Sequence, residues 1–257
     1  FDTAFHQTMP PKAYMFGMPY ECYEQFHVRK YGFHGTSHRF VSMKYGEVTG
    51  KSLEGLNIVS CHLGNGSSIT AIKDGKSVDT SMGFTPLDGI IMGTRSGSVD
   101  PSAVEFVQNK LGFTPAQMSD YLNKKSGFLG LSGQFSDNRD ITSAAQQGDK
   151  RSQLVTDMLT YEIKKYIGSY TAAMNGLDVV IFTGGIGENA PEVRKGVCEN
   201  MEYLGIKLDD SVNDGLKGKL TKISAPDSKV EVWVIPTNEE LLIARDTLEI
   251  TGLDKNA

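Results

Sequence analysis

Apolar and polar positions along this chain follow two different periods, and their succession predicts an α/β fold. Between residues 152 and 175 apolar side chains recur every three or four positions, which is the spacing of one helix face. Gly176 is expected to end that helix, and the apolar run 177–183 is typical of a buried strand. The side chains on the predicted helix face are Val155, Leu159, Ile163, Tyr166, Tyr170 and Met174.

Three further segments have the pattern of strands. Residues 56–64 form an apolar run, residues 67–75 alternate, and Gly-Asn-Gly lies between them, which predicts a hairpin. A third strand is expected over 229–235. A hairpin followed by alternating helices and strands favours an α/β domain with a mixed central sheet flanked by helices.

Helix boundaries are marked by capping residues. A helix is predicted from Thr36 or Ser37 to about Gly50, with those hydroxyls as caps. Asp100 and Thr114, each followed by proline, predict two helix starts, and the second helix is expected to end at Gly127.

The two ends of the chain and the segment after the strand at 177–183 complete the pattern. Residues 1–30 lack periodicity and are predicted to be mainly loop, whereas a helix is expected over 190–203. Thr237 and Glu240 have the spacing of a capping box that opens a last helix and leaves Glu239 free.

Charge and cysteine content narrow the function classes. A net charge of -5 argues against a general nucleic-acid partner, which usually needs a basic surface. No apolar run approaches the roughly 20 residues that cross a bilayer, so no membrane partner is expected. The 3 cysteines are odd in number and form no CxxC pair, which favours a reducing cytoplasmic location over a disulfide or zinc framework.

Glycine clusters at the ends of apolar runs are the candidate ligand loops, and two of them resemble well-known nucleotide motifs. GEVTGKS (46–52) ends like a Walker loop, but it has three residues instead of four between its glycines and follows a predicted helix, which excludes that motif. GIGENA (185–190) fits the dinucleotide fingerprint, and Asp209 and Asp210 follow at the distance of a ribose-binding acid. An NAD-dependent oxidoreductase is therefore one hypothesis, although the motif comes late in the chain.

A third cluster, HLGNGSS (62–68), lies in a hairpin instead of between a strand and a helix. Its backbone N–H groups and its Asn and Ser side chains can surround phosphate, although a simple tight turn would have the same composition. Together with the glycines at 184–187, it suggests a nucleotide whose phosphates are held from two sides.

Six stretches, in this order, carry a family resemblance: FDTAFHQTMP, VRKYGFHGTSH, SCHLGNGSS, DTSMGFTPLDGIIMGTRSGSVDP, FTGGIGENAPEVR and IPTNEEL. With them the chain resembles the acetokinase family of the actin-like ATPases, and the resemblance implies a ribonuclease H-like domain. It also implies transfer of a phosphoryl group between ATP and acetate, giving ADP and acetyl phosphate, with Mg²⁺ (or Mn²⁺) and a homodimer. Propionate kinases share nearly all of these stretches, so the acyl group stays open.

The same resemblance implies roles for residues at the matching positions. Catalytic roles are implied for Asp2, His34 and Arg95, and a magnesium link for Glu239. Phe33 and Pro86 would help form the wall of the acyl pocket. The residues implied to bind the nucleotide are His62, Leu63, Gly64, Asn65, Gly66, Asp137, Asn138, Arg139, Gly185, Ile186, Gly187, Glu188 and Asn189.

Most of these roles compete with a structural alternative. His34 would donate to the phosphoryl group in transit, or bond to backbone at a helix entry. Arg95, between Gly93 and Gly97, would bind carboxylate and phosphate with its planar fork, or pair with Asp100. Phe33 and Pro86 could equally be ordinary core packing.

The two carboxylates also have alternatives. Glu239 would stabilise a helix dipole if it held no metal. Asp2 is described in the family as a base, but acetate is already ionised at pH 7. We therefore expect Asp2 to organise magnesium and its waters, or to orient His34 and Arg95.

Family members carry an N-terminal domain ahead of FDTAFH, so we expect this chain to represent the C-terminal part. Residues 1–10 would be an interdomain segment and residues 11–236 the nucleotide-binding domain. Residues 237–257 would form a helix that packs towards the N-terminal domain. Three hypotheses follow: an acetate kinase, a nucleotide-binding module without turnover, and an NAD-dependent oxidoreductase.

Overall fold

A computed structural model describes residues 1–252, and six strands of this range form one mixed sheet in the order β3-β2-β1-β4-β6-β5. β1, β4 and β6 are parallel to one another, while β2, β3 and β5 are antiparallel to their neighbours. The strands are β1 (Asn57–Leu63), β2 (Ser67–Lys73), β3 (Lys76–Thr80), β4 (Val179–Thr183), β5 (Thr221–Lys222) and β6 (Glu231–Val234).

Helices cover both faces of the sheet. Two short 3-10 helices, Ala4–Thr8 and Glu202–Leu204, accompany the α-helices. The α-helices of the described range are α1 (Pro11–Tyr14), α2 (Tyr20–Phe26), α3 (Gly35–Thr49), α4 (Pro101–Leu111), α5 (Pro115–Lys124), α6 (Gly127–Ser132), α7 (Asn138–Gln146), α8 (Lys150–Met174), α9 (Gly184–Asn189), α10 (Pro191–Cys198), α11 (Asp210–Asn213) and α12 (Glu239–Thr251). None of these helices is long and apolar enough to cross a membrane.

Two hydrophobic cores lie on opposite faces of the sheet, because successive side chains of a strand point in opposite directions. From β1, Val59, Cys61 and Leu63 join the larger core with α8 and α10. Ile58 joins the smaller core with α3 and α12. Ser60 and His62 alternate in the same way, so they face α3, and this alternation decides where the polar side chains of β1 go.

The strongest periodic signals are confirmed. The hairpin of β1 and β2 pairs Leu63 with Ser67, with Gly-Asn-Gly as its turn. The helix face predicted on α8 is buried except for Tyr166, which is half-buried, and Ile167 is buried as well. Asp100 caps α4, and Thr114 opens α5 with a full capping box.

Several local predictions are wrong. Residues 1–30 contain short helices instead of mainly loop. α5 ends at Lys124, and Gly127 instead begins α6, with φ 59°. The helix predicted over 190–203 starts as expected but is shorter, since α10 ends at Cys198, and the glycine segment before it forms the short helix α9.

Three helix ends differ from the predicted local caps, and at the starts of α3 and α12 tertiary partners take the place of those caps. α3 begins after His34, whose φ is 55°, and neither Thr36 nor Ser37 caps it. α8 ends at Met174, and its C-cap is Asn175 in the left-handed conformation, one residue before Gly176. The predicted Thr237–Glu240 capping box is absent, since Asn238 caps α12 and Thr237 accepts a hydrogen bond from Ser37.

α12 packs on α3, where Leu242 is buried and Asp246 pairs with Arg39. Two apolar side chains of α12, Ile243 and Ile250, are exposed. The last part of the predicted segment 237–257, residues 253–257, lies outside the described residues. The expectation that this helix packs towards another domain stays a prediction.

Candidate active site

The candidate site lies where β1 and β4 end and β2 begins, beside the first turn of α3. His62 of β1 is level with Thr183 of β4, so the hairpin turn after β1 and the glycine segment after β4 start at the same edge of the sheet. Parallel strands bring the segments that follow them to one edge, where ligand sites of open α/β sheets form. This is why two glycine clusters separated by about 120 residues of sequence meet.

Asp2 holds the entry of α3. Its carboxylate accepts the backbone N–H of His34 at 2.9 Å, and its carbonyl accepts the N–H of Gly35 at 2.8 Å. A Cβ at position 35 would lie 2.4 Å from the Asp2 carbonyl oxygen, so only glycine allows this approach. The orphan N–H groups of the helix are therefore satisfied by a segment 32 residues earlier instead of by a local side chain.

His34 and Arg95 converge on the backbone of Gly66. A Cβ on Gly66 would be 3.2 Å from Arg95 Nη1 and 3.5 Å from His34 Nε2. His34 uses its Nδ1 with Ser68 Oγ at 2.9 Å, and the described residues offer no partner to its Nε2. A guanidinium nitrogen of Arg95 and the Nε2 of His34 thus face the space beside the hairpin turn.

Neither structural alternative for these two side chains holds. The His34 ring bonds to a serine hydroxyl and not to backbone. Arg95 forms no ion pair with any described residue and donates only to the carbonyl of Pro86 and weakly to Met92 Sδ. An arginine without a carboxylate partner, held at a cleft, suits an anionic ligand.

The loop that carries Arg95 is held by close backbone contacts. A Cβ on Gly93 would lie 2.8 Å from the Ser136 carbonyl oxygen, and Gly97, with φ 69°, would place one 2.6 Å from the Gly89 carbonyl oxygen. The N–H of Gly93 also donates to the Asn65 carbonyl at 3.2 Å. Both glycines are thus required by packing, and the loop is fixed to the hairpin turn.

Four of the 5 histidines pack around the entry of α3. The rings of His34 and His62 stack with their centroids 4.2 Å apart. Burial lowers the pKa of both rings, and it lowers that of His62 to about 3. For His34, the charge of Asp2 raises the pKa and the charge of Arg95 lowers it, but burial is the largest effect. At neutral pH both rings are neutral, so each has one nitrogen that donates and one that accepts.

A cleft of about 810 Å³ opens beside the hairpin turn. Thr142 of α7 and Glu192 of α10 bridge it with a hydrogen bond of 3.1 Å. Eight of the residues implied to bind the nucleotide line it: Gly64, Asn65, Asp137, Asn138, Arg139, Gly185, Ile186 and Asn189. The cleft is also lined by Thr142, Gln146, Ala190, Pro191, Glu192, Gly215 and Lys217, which the sequence did not indicate.

Five implied nucleotide residues do not line this cleft. Leu63 is buried in the larger core, and Gly187 is buried in α9. His62 and Gly66 lie towards His34 instead. The Glu188 carboxylate accepts the N–H groups of Gly184 at 2.9 Å and Thr237 at 3.2 Å, so it joins the start of α9 to the approach of α12.

Asp137, Asn138 and Arg139 begin α7 at the cleft rim. Asp137 caps the helix and makes two bonds with the Arg139 guanidinium, which lowers the pKa of Asp137. Arg139 is 89% exposed, whereas Asn138 is buried and donates to Thr142. The pair at the rim is free to exchange its mutual contacts for a ligand.

Phe33 and Pro86 are half-buried and lie apart from both hydrophobic cores. Each accepts a hydrogen bond through its backbone: the Phe33 carbonyl accepts from His6 Nε2, and the Pro86 carbonyl accepts from Arg95. The second bond places Pro86 next to Arg95, whereas Phe33 contacts His6 and directly precedes His34 in the chain. Their role in an acyl pocket stays a prediction.

Glu239, in the first turn of α12, has a raised pKa because burial and the negative charge of Asp2 both disfavour its ionised form. Two carboxylates that repel each other are a donor set that suits a hard divalent cation. The described residues contain no group of three or more His, Cys, Asp or Glu side chains able to hold a metal. A cation here would therefore complete its coordination with water or phosphate oxygens, as Mg²⁺ commonly does.

Arg194 is a residue of the site that sequence reasoning missed. It is fully buried and donates to the carbonyls of Gly187 and Leu216 and to Asn213 Oδ1, at 2.8–2.9 Å. Arg194 thereby joins α9 to the segment containing Gly215. Residues of α9 and Gly215 line the cleft. Its place in the stretch FTGGIGENAPEVR was the available signal.

The rival motifs have other structural roles. GIGENA forms the short helix α9, and β4 before it lies between β1 and β6. Asp209 caps α11, so it is not a ribose-binding acid at the end of a second strand. Lys51 of GEVTGKS forms an ion pair with Glu231. Neither segment has the arrangement that a dinucleotide or Walker site requires.

The sequence profile of the Acetokinase family matches residues 1–245. An acetate kinase of Carboxydothermus hydrogenoformans is 58% identical over 250 residues, which are 97% of this chain and 62% of that protein. Crystal structures of a Porphyromonas gingivalis acetate kinase and a Francisella tularensis propionate kinase superpose with TM-scores of 0.96 and 0.89, at 50% and 43% identity. The acetate kinase match covers 98% of this chain and 63% of the P. gingivalis protein. The propionate kinase match covers 95% of this chain and 62% of the F. tularensis protein.

Proposed function

This chain belongs to the acetokinase family, and we propose that it carries the nucleotide cleft and phosphoryl-transfer residues of an acetate kinase. It spans about 62% of the length of the curated relatives that it matches. The proposed reaction is reversible. The bond between the γ-phosphorus of ATP and its bridging oxygen breaks, a bond from phosphorus to an acetate oxygen forms, and the products are ADP and acetyl phosphate.

The convergence of His34 and Arg95 beside Gly66 carries this proposal. The hairpin turn has Gly64 and Asn65 in the large cleft and Gly66 next to the two side chains. A nucleotide in the cleft would thus extend its phosphates past the turn towards His34 and Arg95. In phosphoryl transfer, positioning and electrostatic stabilisation supply nearly all the catalysis.

Each side chain suits one part of that task. The guanidinium of Arg95 would bind the carboxylate and the oxygens of the transferring group, and His34 Nε2 would donate to the same oxygens. Neither needs to accept a proton, because a carboxylic acid of pKa about 4 to 5 is ionised at neutral pH. Water is the competing acceptor, and Phe33 and Pro86 are proposed to exclude it around the acyl group.

Asp2 and Glu239 are proposed to hold Mg²⁺, or Mn²⁺ in its place. When bound, the cation would neutralise charge on the nucleotide phosphates. The raised pKa of Glu239 beside Asp2 supports this assignment, because a nearby cation would relieve the repulsion. Asp2 additionally holds the backbone of His34, so its carboxylate serves both the metal and the entry of α3.

Acetate is proposed as the acyl substrate because the relatives with the higher identities are acetate kinases. A direct test incubates the chain with ATP, Mg²⁺ and hydroxylamine, with acetate in one series and propionate in a parallel one. Acyl hydroxamate with acetate in excess over propionate supports the proposal. The reverse preference would reassign the chain to the propionate kinases.

The competing hypotheses give different outcomes in the same experiment. Thermal stabilisation by ATP without hydroxamate would indicate a nucleotide-binding module without turnover. Stabilisation by NAD but not by ATP would refute the kinase.

A dimer in the reducing cytoplasm is proposed as the working state. Phe106 of α4 and Tyr161 of α8 are more than 60% exposed, as expected of apolar side chains that a second copy covers. Cys61 and Cys198 are buried free thiols, and burial raises the pKa of Cys198 to about 12. Light scattering on the purified chain tests the dimer, and a monomeric mass would refute it.

A further inference from the structure

We propose that a buried hydrogen-bond relay, Ser60–His38–Ser68–His34, fixes the proton of the neutral His34 ring on Nε2. In this arrangement His38 and Ser68 are positioning residues that keep a donor aimed at the transferring phosphoryl group. The catalytic consequence rests on the proposed function. The position of the proton rests on hydrogen bonds alone.

The direction of donation along the relay is set at Ser60, its innermost residue. Ser60 is 0% exposed, and within the described residues its hydroxyl has one partner, His38 Nδ1 at 2.9 Å. A buried hydroxyl proton that donates to nothing is costly. Ser60 therefore donates to His38 Nδ1, which must carry no proton.

The same direction of donation continues through His38. The ring is 0% exposed, and burial together with His6, His62 and His34 holds its pKa well below the usual value, so it is neutral. A neutral imidazole has one N–H. With Nδ1 occupied as an acceptor, that N–H is on Nε2, and it donates to Ser68 Oγ at 2.7 Å.

Ser68 completes the relay. It is also 0% exposed, and its hydroxyl contacts only the two histidine rings in the described structure. Since it accepts from His38, its own proton goes to His34 Nδ1 at 2.9 Å. The single N–H of a neutral His34 is then on Nε2, the nitrogen that faces Gly66 and Arg95.

The opposite direction of donation is unfavourable at both ends of the relay. It would leave the buried hydroxyl proton of Ser60 without an acceptor. It would also place a lone pair of His34 where the phosphoryl oxygens are proposed to lie, and two acceptors repel. A relay of serine and histidine has no formal charge, so it controls the proton without adding a buried ion.

Nitrogen-15 NMR of the histidine-labelled chain tests the proton position without any need for turnover. His34→Gln identifies the ring signals of His34 by their loss. We expect an unprotonated Nδ1 and a protonated Nε2 at neutral pH. A proton on Nδ1 would overturn the relay. A chain with the expected signals that makes no acetyl phosphate would refute the proposed function and still support the relay.

Variants test the link to catalysis. Ser68→Ala should give a mixture of His34 tautomers and lower kcat on the order of tenfold or more, with KM for ATP unchanged. Ser68→Thr keeps a hydroxyl and should restore both. The matched control is Ser77→Ala, which removes another 0%-exposed hydroxyl that bonds to His6, outside the relay. An unchanged tautomer and kcat in Ser68→Ala would overturn the proposal.

Ser60→Ala gives a second test if Ser68→Ala does not fold. Ser60 lies three hydrogen bonds away from His34, so this substitution leaves the site itself intact. The variant should release His38 Nδ1 and again produce a mixed His34 tautomer in the NMR spectrum. A His34 signal identical to that of the unmodified chain would contradict the relay.

Discussion

The carboxylate of Asp2 accepts the backbone N–H of His34, the N-cap of α3, at 2.9 Å, so a residue at the start of the chain caps a helix that begins 33 residues later. This contact gives Asp2 a structural role besides its proposed metal role. Asp2→Ala should lower the free energy of unfolding by about 1 kcal/mol, whereas Asp2→Asn keeps an accepting oxygen and should change it little.

The two substitutions therefore distinguish the helix-capping role of Asp2 from its proposed role in binding the metal. Both should weaken Mn²⁺ binding, measured by electron paramagnetic resonance, while only Asp2→Ala should shift the urea midpoint. Asp100→Asn, at another N-cap, is the control and should leave Mn²⁺ affinity unchanged. Full Mn²⁺ affinity in Asp2→Asn, together with a lost acidic limb in the pH profile of turnover, would instead make Asp2 a base.

Gly66→Ala should damage function without damaging the fold. Its φ is not positive, and the Cβ would meet only Arg95 Nη1 at 3.2 Å and His34 Nε2 at 3.5 Å, the ends of two side chains. We expect a change below about 1 kcal/mol in unfolding free energy and at least a tenfold loss of hydroxamate formation. Gly168→Ala, in the open on α8, is the control and should stabilise by about 0.5–1 kcal/mol with turnover unchanged.

Arg139→Ala should lower ATP affinity at nearly constant stability. The side chain is 89% exposed, so its ion pair with Asp137 contributes little to folding. Asp137→Ala, by contrast, removes the N-cap of α7 and should cost about 1 kcal/mol. Calorimetric titration with ATP measures the first effect and thermal unfolding the second. An unchanged ATP affinity in Arg139→Ala would remove this residue from the nucleotide site.

Arg194→Met should destabilise the chain by about 3 kcal/mol or more, because the carbonyls of Gly187 and Leu216 and the Asn213 side chain lose a buried donor. Burial lowers the pKa of Arg194 to about 10, so the group is charged throughout the neutral range. Arg194→Lys should rescue little, since one ammonium cannot reach three separated acceptors. Urea unfolding with and without ATP measures both effects, and full stability of Arg194→Lys would contradict this account.

Glu231 should make stability depend on pH in the acid range. Burial raises its pKa, but hydrogen bonds from Lys51, Trp233 and Tyr45 outweigh burial and lower it to about 2. A lowered pKa means that the stabilisation is complete above the usual carboxyl value near 4.5 and is lost as the pH falls towards 2.

Glu231→Gln should therefore cost about 2 kcal/mol at pH 7, an amount already reduced for the half-exposed Lys51, and the difference should vanish as the pH approaches 2. Urea unfolding at several pH values measures it. Glu54→Gln, on the exposed turn after Lys51, is the control. A difference that grows on acidification would show that the sign of the shift is wrong.

Periodicity and capping residues were sufficient for the parts of this fold that depend on local physics. The six-residue face of α8 and the β1–β2 hairpin follow from spacing, because burial of one side of an element imposes its period on the sequence. Asp100 and Thr114 could be identified because an N-cap contacts backbone only two or three residues away.

The caps that failed were those with distant partners. Nothing near His34 in sequence indicates that Asp2 opens α3, and nothing near Thr237 indicates that its hydroxyl bonds to Ser37. A tertiary contact that satisfies the same orphan groups removes the advantage of a local cap.

The glycine clusters and the family stretches determined, from sequence alone, the family and the candidate residues. Only the tertiary structure decided which of those residues share the cleft. It also decided that Leu63 joins the larger core, that Glu188 accepts the N–H groups of Gly184 and Thr237, and that Ser60, His38 and Ser68 form a chain of hydrogen bonds to His34. Their contacts join positions 22 to 34 residues apart across α3, β1 and β2. Such contacts depend on the order and register of the strands, which arise from packing the whole sheet and leave no local pattern in the chain.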